Sequence, residues 1–409
     1  MRFLPCALAS LLALCQRGLA APPSEGNITN GPAGDSSLPN GPPNPSLLPR
    51  ITPKVMIVSM FAPEADVWYE NMRLDGFGDL LALNISVPGT SPKYPYVHCT
   101  LDGQVCQMTT CEGEINAATS MMALAIANQF DFRKTYWLVA GIAGVNPKYS
   151  TIGGVALARY SVQAALQYEF DAREMPDNFS TGYVAFGTMG PDHYPTILYG
   201  TEVFEVNQAL RDRAFDYASK ANLTDNEDSK RYRARYKPAG NSLAMASSGP
   251  SVVKCDTVTS DVYYSGKLLS ESFERTVDIW TNGTGRYCMT AQEDNATLAA
   301  LIKAAIFGFV DFARVIILRT GSNFDRPPPG VTAYEHLLVL KQNGFAVAIG
   351  NLYLAGIEIV KGILNDWTAV FDKGVKPCNY IGDIFGSLGG EPDYGPGSLT
   401  GGQPVKPAV

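Results

Sequence analysis

A chain of 409 residues has room for one large domain or two average ones, and 46% hydrophobic with 17% charged residues is the make-up of a soluble globular protein. The formal net charge of −7, with no basic block to offset it, argues against a nucleic-acid surface.

The start, MRFLPCALASLLALCQRGLA, predicts a secretory signal peptide over 1–20, cleaved near Ala20 or Ala21. Residues 21–50 are rich in Pro, Gly, Asn and Ser and predict a disordered or glycosylated leader. A single α/β domain is expected over 51–396 and a flexible tail over 397–409. N-x-S/T sequons at Asn27, Asn84, Asn178, Asn222, Asn282 and Asn295 agree with a secreted or cell-surface protein. If the acids beside Asn295 line a pocket, Asn295 should stay unglycosylated.

The first strand is predicted at Val55 to Met60, and a helix at Ala65 to Arg73. Glu64 thus lies at a strand's carboxyl end and a helix's amino end. Two roles are open for it: compensation of the helix dipole, or a base facing a pocket. Tyr96 to Thr100 and Gln104 to Thr110 read as a hairpin about an Asp-Gly turn, with Cys99 and Cys106 placed to bridge. A helix follows from Ala117 to Gln129. Thr135 to Ala140 reads as a buried strand closed by Gly141-Ile142-Ala143-Gly144, where glycines let the backbone approach a ligand. Gly154 to Tyr160 is another strand candidate.

Residues 171–250 are irregular, with a helix at Glu205 to Ala221 and a charged, solvated face at Asp225 to Lys237. The insertion covers the pocket or builds an oligomer contact. Helices follow Tyr263-Tyr264 to Val277. Glu293 and Asp294 then open a core helix from Ala296 to Phe312. Arg314 to Leu318 is a short buried strand, with Thr320, Gly321, Ser322 and Asn323 turning out of its end. Ligands of open α/β sheets bind outside such ends. The remainder predicts a helix at Thr332 to Asn343, a strand at Ala346 to Ile349 and a helix at Ala355 to Phe371. The alternation argues for a layered α/β domain. No later stretch predicts a membrane span: the most apolar window, Leu298 to Leu318, holds Lys303, Asp311 and Arg314.

His98, His193 and His336 lack metal-ligand spacing, and no G-x-S-x-G elbow or phosphate-binding P-loop occurs. No metal or cofactor is expected, and carboxylates remain the favoured chemical groups. The phrases GEINAATSMMALA, YWLVAGIAGVNP, YGTEVFEVN, YCMTAQEDNATLAAL, RTGSNFDRP and NLYLAGIEIVKGI resemble the fungal purine nucleoside permease family from Pro53 to about Pro396. More distantly the chain is similar to the nucleoside phosphorylase and nucleosidase superfamily. That resemblance implies a three-layer α/β/α sandwich with a mixed central sheet, a purine nucleoside as ligand, and a homo-oligomer.

It also implies roles. Glu64 is similar to the water-activating acid and Glu293 to the acid that binds the ribose hydroxyls. Tyr263 falls where an aromatic meets the purine, and Asn323 where a side chain meets N7. Gly141, Ile142, Gln292 and Ser322 complete the implied substrate-binding set. Nucleosidases usually carry Asp at the position of Asn323, so Asp325 is a candidate substitute proton donor; Gln292 replaces the usual Met. A phosphate nucleophile wants Arg in the pocket. The turn from Ser59 to Asp66 has none, while Glu112 and Glu114 would repel phosphate. Water is therefore the expected nucleophile, in a purine nucleosidase; a phosphorylase and a non-catalytic nucleoside-binding protein that assists uptake are the alternatives.

Overall fold

The computed structural model describes residues 50–394, which fall within one compact unit, Arg50–Val409. The expected signal peptide, leader (Arg50 apart) and tail lie outside the described residues. The strands are β1 (Val55–Ser59), β2 (Leu83–Ser86), β3 (Tyr96–Cys99), β4 (Val105–Thr109), β5 (Tyr136–Val145), β6 (Val155–Ala158), β7 (Tyr160–Gln163), β8 (Tyr168–Glu169), β9 (Tyr183–Val184), β10 (Val203–Glu205), β11 (Val252–Lys254), β12 (Asp256–Thr259), β13 (Tyr287–Ala291), β14 (Val315–Phe324) and β15 (Gly382–Asp383). The α-helices are α1 (Ala62–Leu74), α2 (Glu114–Ala125), α3 (Gln208–Ala218), α4 (Glu227–Arg233), α5 (Lys267–Trp280), α6 (Asp294–Ile306) and α7 (Phe345–Asn365).

Successive strand residues point to opposite faces, and the core divides on that rule. Met56 and Val58 of β1 pack with Met121 and Leu124 of α2 and Leu298 and Leu301 of α6. Val55 and Ile57 face the other way, against Trp68 of α1, Leu210 of α3 and Leu352 of α7. Helices therefore cover both faces of a large mixed sheet, which makes a three-layer α/β/α sandwich.

The sheet branches at β5. On one side β5 pairs in parallel with β1 and then, past the end of β1, antiparallel with β13. On its other side it pairs in parallel with β14 along nearly its whole length. A place where strand partners change is where an α/β sheet opens a crevice at its strand ends.

Several elements differ from the sequence expectation. β5 and β14 do not turn at Ala140 and Leu318; they run on to Val145 and Phe324 because each supplies the other's backbone partners. The glycine and Ser/Asn stretches thus lie within strands. A β-bulge between Gly321 and Asn323 makes Ser322 the extra residue and re-aims the strand end. The helix expected to Phe312 stops at Ile306. The expected strand at Ala346 to Ile349 is the first turn of α7, a helix of 21 residues. Gly356 within it admits a close neighbour: a Cβ there would lie 2.5 Å from the Trp68 ring. α7 is long and apolar enough to cross a membrane by length and composition, and here it packs in the core. The segment expected as a solvated face buries Tyr232, Tyr236 and the Arg233–Asp225 ion pair. Only Glu335–Val339, a π-helical turn, forms within the helix expected at Thr332 to Asn343, apart from two residues leading into it. The hairpin of β3 and β4 is present, bridged by Cys99 and Cys106. A second disulfide joins Cys255 and Cys288.

Candidate functional site

The branch point gathers one buried charged cluster. α1 begins directly after β1 with a proline in its first turn, which suits a position whose N–H is unpaired in any case. Glu64 follows in that turn and is 1% exposed. Its Oε2 accepts the Met60 N–H at 2.8 Å and its Oε1 the Ile142 N–H at 2.6 Å. Burial raises its carboxyl to about 8, against the lowering pull of Arg319 and the two N–H groups. Gly141 is required beside it: a Cβ there would stand 2.8 Å from Glu64 Oε1 and 2.9 Å from Met60 Sδ, and closer still to Arg319 Nη1.

Glu293 caps α6 at the end of β13 and is 4% exposed. Its Oε1 accepts the Gly113 N–H at 3.0 Å, and its Oε2 lies 3.3 Å from Arg319 Nη2. Burial raises this carboxyl too, opposed by Arg319. Arg319, 1% exposed on β14, joins the groups. Its Nε donates to Asp294 Oδ1 at 3.1 Å and its Nη1 to the Ile142 carbonyl at 3.1 Å. Burial works against its charge, but Asp294 and Glu293 more than offset that and hold it cationic. With Glu64 ionised, the three carboxylates and one guanidinium carry a net −2.

The second wall lies further along β5 and β14. Asn323 pairs in register with Gly144, and a Cβ on Gly144 would come 3.6 Å from Asn323 Nδ2. Ser322 Oγ donates to the Ala143 carbonyl at 3.1 Å and contacts Asn323 Oδ1 at 2.8 Å. Tyr263, 60% exposed on the loop before α5, has its hydroxyl in the neighbourhood of Asn323, though burial still raises that hydroxyl. Gln292 is at the rim, donating to the Asp261 carbonyl at 3.1 Å. Asp325 is turned elsewhere: its carboxylate accepts Arg326 Nε at 2.8 Å and the Tyr287 hydroxyl at 2.6 Å. Asn295 is buried, bonded to Ser161, Thr259 and the Thr201 carbonyl.

Sequence reasoning missed Arg319 and Asp294. The expectation of a pocket without arginine needs correction, since the sheet supplies the cation that the turn lacks. A lone Arg following an apolar strand run was the available signal, because a buried charge needs partners. Among the described residues, no group of three His, Cys, Asp or Glu side chains is arranged to hold a metal ion.

Comparison with known proteins places this chain in a family. The model of the purine nucleoside permease family matches residues 52–376. A purine nucleoside permease of Candida albicans is 44% identical over 347 residues, covering 84% of this chain and 83% of that protein. A probable purine nucleoside permease of Schizosaccharomyces pombe is 39% identical over 323 residues, covering 77% and 90%. Among solved structures, futalosine hydrolase of Helicobacter pylori is similar with a TM-score of 0.45 at 12% identity, covering 77% of this chain and 98% of that one. The 5′-methylthioadenosine/S-adenosylhomocysteine nucleosidase of Neisseria meningitidis gives a TM-score of 0.41 at 14% identity, covering 76% and 99%. The chain belongs to the purine nucleoside permease family.

Proposed function

We propose that this protein is a purine nucleoside N-ribohydrolase, which cleaves the N-glycosidic bond with water to give free purine base and ribose. The observation that carries the reading is the buried Glu64 carboxylate, oriented by the Met60 and Ile142 N–H groups and under the electrostatic pull of Arg319, which pairs with Glu293.

In this mechanism Glu64 takes a proton from water as its oxygen bonds to C1′. The C1′–N9 electron pair leaves with the purine, which takes its proton from solvent. A base so placed contributes about 10² to 10⁴-fold. Glu293 accepts hydrogen bonds from the ribose hydroxyls. The net −2 of the cluster favours the oxocarbenium character such cleavage develops. Tyr263 stacks on the base. The Asn323 amide donates a hydrogen bond to N7 and so stabilises charge on the leaving group, but it transfers no proton. The Asp325 carboxylate, held by Arg326, has none to give in this arrangement.

Water is favoured over phosphate for an amended reason. Arg319 already serves Asp294, Glu293 and the Ile142 carbonyl, so it is not a free clamp for an anion. Incubation with inosine, adenosine or guanosine, with and without phosphate, tests the reading. Base release without phosphate supports it; release only with phosphate makes the protein a phosphorylase. We further propose a secreted or cell-surface location, supported by exposed Asn84, Asn178 and Asn222 in sequons. The mature N-terminus and its glycans, read by mass spectrometry, test that.

The relatives' name favours a second reading, a nucleoside-binding protein that assists uptake without catalysis. Glu64→Gln separates the two: uptake that is unchanged would support capture alone.

A further inference from the structure

Asp325, Tyr287 bonded to it and Tyr264 bonded to Tyr287 have no role in the chemistry above, yet they form a connected polar chain beside the base-facing wall. We infer that Tyr264, Tyr287 and Asp325 form a buried positioning relay, which fixes the loop that carries Tyr263 opposite Asn323. The inference rests on the nucleoside reading only in taking Tyr263 and Asn323 as the base-facing pair.

The direction of the relay follows from proton counting. Asp325 is 1% exposed, and its Oδ1 and Oδ2 accept Arg326 Nε and Nη2 at 2.8 and 2.9 Å. Arg326 is itself tied to Glu274 at 2.6 Å, which also receives Asn146 and Lys148. A carboxylate in that setting is an acceptor only. The Tyr287 hydroxyl gives its one proton to Asp325 Oδ2 at 2.6 Å. Its oxygen is then the acceptor for Tyr264, whose hydroxyl lies 2.9 Å away. The chain therefore runs Tyr264 to Tyr287 to Asp325.

Its consequence for the site follows from the backbone. The Asp325 carbonyl accepts the Gly266 N–H at 2.9 Å and Ser270 Oγ at 3.1 Å, and its N–H donates to the Val145 carbonyl at 3.0 Å. Residue 325, two past Asn323, is thereby bound to the far end of the Tyr263 loop by main chain and side chain. Tyr263 is 60% exposed. Its neighbour Tyr264 packs on Phe273, ring centroids 4.7 Å apart. The position of Tyr263 is inherited from Tyr264, and Tyr264 is located by its hydroxyl.

The test uses the whole protein with Tyr264→Phe, Tyr287→Phe and the double variant. Each keeps the ring; Tyr264→Phe deletes one link and Tyr287→Phe deletes both. Inosine affinity is read by calorimetry, kcat and KM by base release, and Tm by melting. Loss of one buried hydrogen bond predicts about a tenfold rise in the Kd and KM for inosine, with the change in KM rather than kcat. Because both hydroxyls act in one chain, the double variant should be no worse than the weaker single one. Unchanged affinity in both single variants, or effects that multiply in the double, would overturn the relay. So would a loss confined to kcat, which would return Asp325 to proton transfer. If Tyr287→Phe fails to fold, Tyr264→Phe carries the test alone. No binding of any purine nucleoside by the wild-type protein would sink the nucleoside reading and the relay together, whereas binding that the variants leave intact would sink only the relay.

Discussion

The charged wall around Glu64, Glu293 and Arg319 is carried on two helix starts and the middle of β14, whereas the wall around Tyr263 and Asn323 depends on a loop and a bulge. In the first, the pairing of β5 with β1, β13 and β14 sets the spacing of the charges. In the second, a partly exposed tyrosine relies on contacts made by its neighbours. The contrast teaches where precision is needed. On the proposed reaction, groups that act on water and C1′ must be held closely, while a wall that meets a flat base can be built from a loop.

That contrast can be tested variant by variant. Glu64→Gln should give the largest effect: a fall of about 10² to 10⁴-fold in kcat, with inosine affinity retained by calorimetry. Retained turnover would show that the charged wall does no chemistry. Arg319→Met comes next. It leaves Glu293 and Asp294 buried without their cation, and breaking such a pair costs about 3–5 kcal/mol. Chemical denaturation should show that loss, and an unchanged midpoint would contradict it.

The pH dependence is the third test. Glu64 acts as a base only when ionised, and burial raises its carboxyl to about 8. Turnover should therefore climb with pH through a midpoint near pH 8 and level off above it, with the protonated, inactive form dominating below. A profile flat from pH 5 to 9 would remove Glu64 from the rate. The smallest effect on the site should come from removing the Cys99–Cys106 bridge, with both residues changed to Ala. Closing so short a loop contributes about 2 kcal/mol, so Tm should fall while KM for inosine stays put. A shift in KM would show that the β3–β4 hairpin reaches the site.

Much of the charged wall was readable before the fold was known. An acid directly after an apolar strand run, as at Glu64, and another directly before an Ala/Leu-rich helix, as at Glu293, are local signals. Arg319 offered only the signal of a lone charge after an apolar run, and its partners Asp294 and Glu293 come from another element, where no spacing points to them. The length of β14 was hidden for a related reason: Thr320 to Asn323 read as a turn until β5 supplied their backbone partners. The start of α7 was hidden because Ala346 to Ile349 read as a strand, and the close packing of Gly356 on Trp68 is a tertiary fact. The relay joins residues 264, 287 and 325, and no sequence spacing announces it.

The central claim is that water attacks C1′. The most direct measurement is turnover of inosine in ¹⁸O-labelled water without phosphate, with products weighed by mass spectrometry. Hydrolysis gives free hypoxanthine together with ribose carrying one ¹⁸O atom. Intact inosine, or sugar released only as a phosphate ester once phosphate is added, would contradict it.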